Sequence, residues 1–195
     1  DFKLNFVVHI DNIATSAYKS LGFVIRNIKG LEVVESLKIL YYSFVRSQLE
    51  YASVVWNPVN NVHIDRLEKI QRRFIKYLAF LIDNVYPSQG FPQNLLLKRF
   101  GMDSLIARRI TESMSFLHQI INAKIDCPEL LEQVYLRVPQ SNLRNTNCFQ
   151  IPVPKTNVLK MSPLYQALQN YSYIEQDFDI FSSKVHVWSY SAVIS

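Results

Sequence analysis

Residues 61–82 read NVHIDRLEKIQRRFIKYLAFLI, and the folding of this stretch decides the architecture around it. On a wheel at about 100° per residue, Ile64, Leu67, Ile70, Phe74, Ile75, Leu78 and Leu81 share one side. Arg66, Lys69, Arg72, Arg73 and Lys76 fall together within an arc of about 120° on the other. The spacing predicts an amphipathic helix with its apolar side in a core and a basic stripe outward. Asp65–Lys69 and Glu68–Arg72 are i,i+4 pairs in the favourable order, so Lys69 and Arg72 are expected to be partly compensated. Arg66, Arg73 and Lys76 have no such partner within the helix. Gln71 falls in the apolar sector and is expected to be a buried, hydrogen-bonded amide.

The preceding segment, 34–57, contains LKILYYSFVRSQLEYASVVWNP (37–58) and reads as a second long helix. It is expected to run to Asn57-Pro58, because a residue before proline is pushed out of helical geometry. Trp56 and Tyr51, like Phe74, are assigned to packing, and Arg46–Glu50 to a weak pair one turn apart. Before it, Ile10, Ile13, Ala14, Ala17, Leu21, Val24, Ile25 and Ile28 predict a helix over 9–28, with Gly30 at its left-handed cap. After the basic helix, Asp83-Asn84 and Pro87–Gly90 mark a break. Helices are expected at 93–100 and 104–124, with Gly101 between them and Asp103 or Ser104 as a cap. Pro128 opens a short helix over 129–135. Pro139, Pro152, Pro154 and Pro163 place 137–163 in extended chain, with one short strand near Phe149. Residues 163–192 read as helix broken near Tyr173–Asp177. The fold class is therefore mainly α: a helical bundle over 1–85, then a smaller helical region over 86–195 with an extended Pro-rich segment.

Bulk composition agrees. Of 195 residues, 49% are hydrophobic, enough to bury a core in one or two domains, and four glycines suit long helices. The net charge of +5 is uneven: residues 1–110 hold 15 Lys/Arg against 9 Asp/Glu, and residues 111–195 hold 6 against 7. A basic first part points to a polyanion; the competing reading is a solvated surface. Cys127 and Cys148 form no C-x-x-C pattern, so a reducing, intracellular compartment (nucleus or cytoplasm) is expected. The start DFKLNFVVHI lacks the marks of a secretory signal, and no run approaches about 18 apolar residues, so no membrane span is expected. The first residue is Asp rather than Met, which suggests a fragment. The triplet Asn170-Tyr171-Ser172 reads as a chance sequon.

No motif of a known catalytic centre occurs. G-x-S-x-G, a Gly-rich phosphate loop and H-E-x-x-H are all missing, and His9, His63, His118 and His186 lie at no metal-ligand spacing. Asp177 and Asp179 form the closest pair of aspartates; two aspartates suit a divalent metal, but their place before IFSSKVHVW favours helix-start residues. No catalytic residue, metal ligand or cofactor site is expected in this chain.

Beyond these residue-level readings, LYYSFVRSQLEYASVVWNP followed by IDRLEKIQRRFIKYL resembles the segment after the polymerase palm in reverse transcriptases of non-LTR (LINE-type, jockey-like) retrotransposons. The likeness starts at LNFVVHIDNI and AYKSLGFVIRN and extends through ARRITESMSFLHQIINAKIDCPELLEQVYLRVPQSNLR to MSPLYQALQNYSYIEQDFDIF. It implies that residues 1 to about 85 are a helical thumb and the rest a C-terminal region of an RNA-directed DNA polymerase. The catalytic aspartates and their Mg²⁺ would belong to an upstream palm, the domain this fragment would partner. The expected role is to hold an RNA–DNA or DNA duplex by its backbone, without sequence readout. Three positions depart from the family: Ser16 stands where Lys is usual, Gln166 for Arg and Ser172 for Asn. The ending KVHVWSYSAVIS is also unlike it. The candidate phosphate contacts are Arg66, Lys69, Arg72, Arg73 and Lys76, with Arg46 and Lys38 as weaker ones. The competing classes are a helical protein-interaction module and the non-functional product of a decayed element copy.

Overall fold

The computed structural model describes residues 6–27, 33–137, 147–174 and 179–182. Within them the protein is mainly α-helical, as expected, and no helix is long and apolar enough to cross a membrane. The chain packs as two units, one of Phe6–Arg108 and the other from Arg109 onward. The first unit thus continues past the boundary at residue 85 suggested by sequence, because Leu96, Leu97, Phe100, Met102 and Leu105 complete its core.

Helix α1 (Val7–Asn27) buries Ile10, Ala14, Ala17, Leu21 and Val24, one stripe at alternating steps of four and three. The two alanines keep that stripe narrow, which lets neighbouring helices approach closely. Gly30 lies outside the described residues. The central helix, α5 (Asn61–Asp83), forms as its periodicity requires. The Asn60 side chain caps it by accepting the Val62 N–H at 3.1 Å. Asn84 ends it in the left-handed region at φ 54°, its N–H donating to the Phe80 carbonyl at 2.9 Å. Leu67, Ile70, Phe74, Ile75, Leu78 and Ala79 are buried. Leu81, placed on the core side by the wheel, is 38% exposed near the helix end.

The expected single helix over 34–57 is instead broken into four pieces. They are α2 (Val34–Tyr41), a π-helical turn (Tyr42–Arg46), α3 (Ser47–Glu50) and α4 (Ser53–Trp56). Leu37, Tyr41, Val45, Leu49 and Ser53 are all buried, at a strict spacing of four. On an ideal α-helix each such step overshoots a full turn by about 40°, so the buried row would spiral off the core. The wider i→i+5 turn at Tyr42–Arg46 takes up part of that drift. Tyr51 and Ala52 then leave helical geometry altogether, Ala52 at φ 52°. Trp56 answers this break. Its Nε1–H donates to the Tyr51 carbonyl at 2.8 Å, satisfying an acceptor the helix end leaves open. Trp56 is buried, and its ring meets His9 of α1 edge-on at 5.4 Å. The two long stretches join where Tyr41 stacks on Phe74, ring centroids 4.1 Å apart and planes 7° from parallel. Burial, with Glu50 adding to it, raises the Tyr41 hydroxyl well above the usual tyrosine range.

Helix α6 (Gln93–Phe100) ends at Gly101, φ 60°, with Met102 N–H bonded to the Leu97 carbonyl at 2.9 Å, a Schellman closure. Helix α7 (Leu105–Ile121) starts at Ser104, whose Oγ accepts the Ala107 N–H at 3.1 Å. In the second unit, Met114 and Leu117 of α7 share a core with Leu164, Ala167, Leu168, Tyr171 and Ile174 of the last described helix. Helix α8 (Pro128–Leu131) is shorter than expected. The segment 137–163, expected as extended chain, contains α9 (Asn157–Met161), because Thr156 caps it by accepting the Leu159 N–H at 3.3 Å. The expected strand near Phe149 is a single antiparallel bridge to Leu136. Helix α10 (Pro163–Ile174) begins at its proline as expected; the break and helix expected beyond Ile174 fall largely outside the described residues.

Candidate nucleic-acid interface

The basic stripe lies on α5, in the first unit. Arg66, Lys69 and Arg73 are exposed, and Arg72 and Lys76 are half-buried. From Arg66 to Lys76 the stripe covers about 15 Å of helix at 1.5 Å per residue. Its pairing differs from the sequence expectation at Lys69 and Arg72, and Arg66 and Lys76, which have no partner within α5, find one outside it. Glu68 does not compensate Arg72. It turns inward, is buried, and accepts the Ile106 N–H at 2.9 Å and the Gln93 amide at 3.0 Å. Its reason is the orphan donor at the start of α7, where a carboxylate satisfies an N–H and is favoured by the helix dipole. Arg72 instead donates from Nε to the Gln93 side-chain oxygen at 2.8 Å. Lys76 donates to the Ser88 carbonyl at 3.1 Å. Lys69 forms no ion pair with Asp65. Arg66, with no partner inside α5, is ion-paired with Asp11 of α1.

Among the described residues, four of the five cations are therefore unpaired with a carboxylate, one more than the sequence implies. Arg72 and Lys76 rest on neutral acceptors, which orient them without cancelling their charge. Lys69 and Arg73 reach solvent. The Arg66–Asp11 pair is exposed at both ends, and such pairs are worth only about 0–1 kcal/mol. Gln71 is buried as expected, its Nε2 donating to the Asp103 carbonyl at 2.8 Å, so it is a packing amide.

The weaker candidates are more engaged. Lys38 is bonded to Glu35 at 2.9 Å. Arg46 lies over the Tyr42 ring, 3.7 Å from its centroid, and is 3.5 Å from Glu50. Glu50 is also held bidentately by Arg108, whose second contact is 2.9 Å. This two-arginine clasp joins the π-helical region to the start of α7 and was not legible in sequence, since Arg108 lies far along the chain. Tyr51 is the clearest correction to the packing assignments: it is 81% exposed.

Among the described residues no group of three or more His, Cys, Asp or Glu side chains could hold a metal. Asp177 lies outside them. Asp179 accepts the Phe181 N–H at 3.0 Å, and the residues that would follow it in the expected helix lie outside the described ones. Neither Cys127 nor Cys148 is in a disulfide. The Asn170 amide of the sequon donates to the Ser113 hydroxyl at 3.1 Å. No family model, curated protein or solved structure matches the chain.

Proposed function

We propose that Phe6–Arg108 holds a nucleic-acid duplex by its phosphates through the outer face of α5, as the thumb of a non-LTR-type reverse transcriptase whose palm lies outside this chain. The observation that carries this reading is the stripe's uncompensated charge: Lys69, Arg72, Arg73 and Lys76 are ion-paired with no carboxylate among the described residues. Phosphate contacts of this kind give affinity without sequence preference, which is what a polymerase needs behind its active centre. The apolar side of α5, fully buried from Leu67 to Ala79, keeps the stripe on a rigid support.

The test is a salt titration of RNA–DNA hybrid binding with wild type and with Lys69→Gln/Arg73→Gln. Both side chains are exposed, so stability should change by only about 0.5 kcal/mol each. The slope of log K against log salt should flatten by about 0.7–0.9 for each phosphate no longer neutralised, equally for every duplex sequence. Equal slopes in the two proteins would leave the stripe as solvated surface. A protein-docking role would then gain, because Phe80, Leu81, Ile82, Val85, Tyr86 and Leu95 leave apolar surface exposed around the end of α5.

A further inference from the structure

We infer that Gln93 is a positioning residue of the basic stripe: it stands between Glu68 and Arg72, stops them from pairing, and holds Arg72 charged and oriented for one phosphate. The inference rests on the phosphate-binding reading of α5 and deepens it.

Glu68 and Arg72 are one turn apart on α5, in the order that favours a direct ion pair. Such a pair would cancel the charge of Arg72. The Gln93 side chain, from the first residue of α6, intervenes. Its Nε2 donates to Glu68 Oε2 at 3.0 Å, and its Oε1 accepts from Arg72 Nε at 2.8 Å. The other Glu68 oxygen accepts the Ile106 N–H at 2.9 Å. Each carboxylate oxygen is thus taken by a neutral donor. The amide also has one workable orientation, because an ionised carboxylate only accepts and a guanidinium only donates. Turned over, it would set oxygen against oxygen at Glu68 and N–H against N–H at Arg72. Glutamate at 93 would neutralise Arg72, and leucine would leave the two charges free to meet.

The turn before Gln93 is tied to the stripe as well. Phe91 N–H donates to the Ser88 carbonyl at 3.2 Å, and Lys76, one turn beyond Arg72, donates to the same carbonyl at 3.1 Å. The connection between α5 and α6 therefore meets two neighbouring cations, each time with a neutral oxygen. Arg72 is engaged through Nε, and its terminal N–H groups make no hydrogen bond among the described residues. Those groups are the fork that grips a phosphate through two parallel bonds. A guanidinium already held at Nε has less side-chain freedom to lose when it binds.

The experiment is a salt titration of RNA–DNA hybrid binding by the full chain as wild type, Gln93→Leu, Arg72→Gln, the two combined, and Gln93→Leu/Glu68→Gln. Gln93→Leu should flatten the slope of log K against log salt by about 0.7–0.9, as much as Arg72→Gln does, because Glu68 then pairs with Arg72. Combining those two changes should flatten it no further. Adding Glu68→Gln to Gln93→Leu should restore the wild-type slope, since no carboxylate remains to cancel Arg72; a packing defect at position 93 would not be restored in that way. A wild-type slope in Gln93→Leu, additive effects with Arg72→Gln, or no restoration by Glu68→Gln overturns the role of Gln93 and leaves the phosphate reading standing. Absence of salt-dependent binding by wild type overturns both. Should Gln93→Leu fail to match wild type in far-UV circular dichroism, Gln93→Glu carries the test, since its carboxylate meets Arg72 directly: a flattened slope upholds the role and a wild-type slope overturns it.

Discussion

Helix α5 and the segment from Val34 to Trp56 are of similar length and meet at the Tyr41–Phe74 stack, yet one is unbroken and the other changes geometry three times. The difference lies in the spacing of what each buries. Along α5 the buried residues fall at mixed steps of three and four, averaging close to 3.6, so a straight helix keeps them on one side. Between Leu37 and Ser53 the steps are all four, and an α-helix would carry the last of them about 160° round from the first. Burial wins over regular hydrogen bonding there. The π-helical turn and the left-handed Ala52 are its consequences, and they deliver an exposed Tyr51 and a buried Trp56 five residues apart.

The largest test of this contrast is Trp56→Ala. If the indole anchors the break by filling the core and satisfying the Tyr51 carbonyl, truncation should cost about 3–5 kcal/mol in urea unfolding. A cost below about 1 kcal/mol, the level of a surface change, would mean the break holds itself and the indole is incidental.

Much of this was open to inspection in the sequence, and the remainder was hidden for identifiable reasons. The limits of α5, α6 and α7 follow from local chemistry: an Asn cap, a glycine closure and a Ser cap are all short-range devices. The four-residue row from Leu37 to Ser53 was visible too, and its period, set against 3.6, marks a non-α turn. The stripe's five residues were legible as a surface feature, but their charge state was not. Glu68 pairs with Ile106, Arg66 with Asp11 and Arg72 with Gln93, and each partner lies at a sequence distance that helical periodicity does not reach. For the same reason Arg108 was missed as the holder of Glu50.

A second test compares the left-handed residue that breaks the first segment with the one that ends α5. Ala52 sits at φ 52° and Asn84 at φ 54°. In that region alanine costs about 1–2 kcal/mol, whereas asparagine adopts it readily. Glycine regains this but adds freedom to the unfolded chain. Ala52→Gly should therefore stabilise by about 0.5–1 kcal/mol and Asn84→Gly by no more than a few tenths. Differential scanning fluorimetry on the pair checks it. Equal shifts would place the strain elsewhere than at Ala52, and the break in the first segment would lose its local explanation.

The smallest effect concerns how α5 is held at its end, where the first segment has its tryptophan anchor. Asp83, the last residue of α5, is gripped by Arg99 of α6 through contacts of 2.6 and 2.7 Å. That hydrogen bonding holds the Asp83 carboxyl below the ordinary aspartate range and the Arg99 guanidinium above its own. Because the folded value is depressed, the contribution is present above the unfolded value of about 3.9 and is lost as pH falls through the folded one. Both side chains remain well exposed, so solvent screens the pair and the energy involved is small. Asp83→Asn should leave the urea midpoint near neutral pH slightly lower than wild type, and the gap should close as the pH falls through the depressed folded value of the carboxyl. A gap that stayed constant with pH would show that Asp83 matters through shape or helix capping rather than charge. The end of α5 would then be fixed by the Asn84 closure alone, as the first segment is fixed by Trp56.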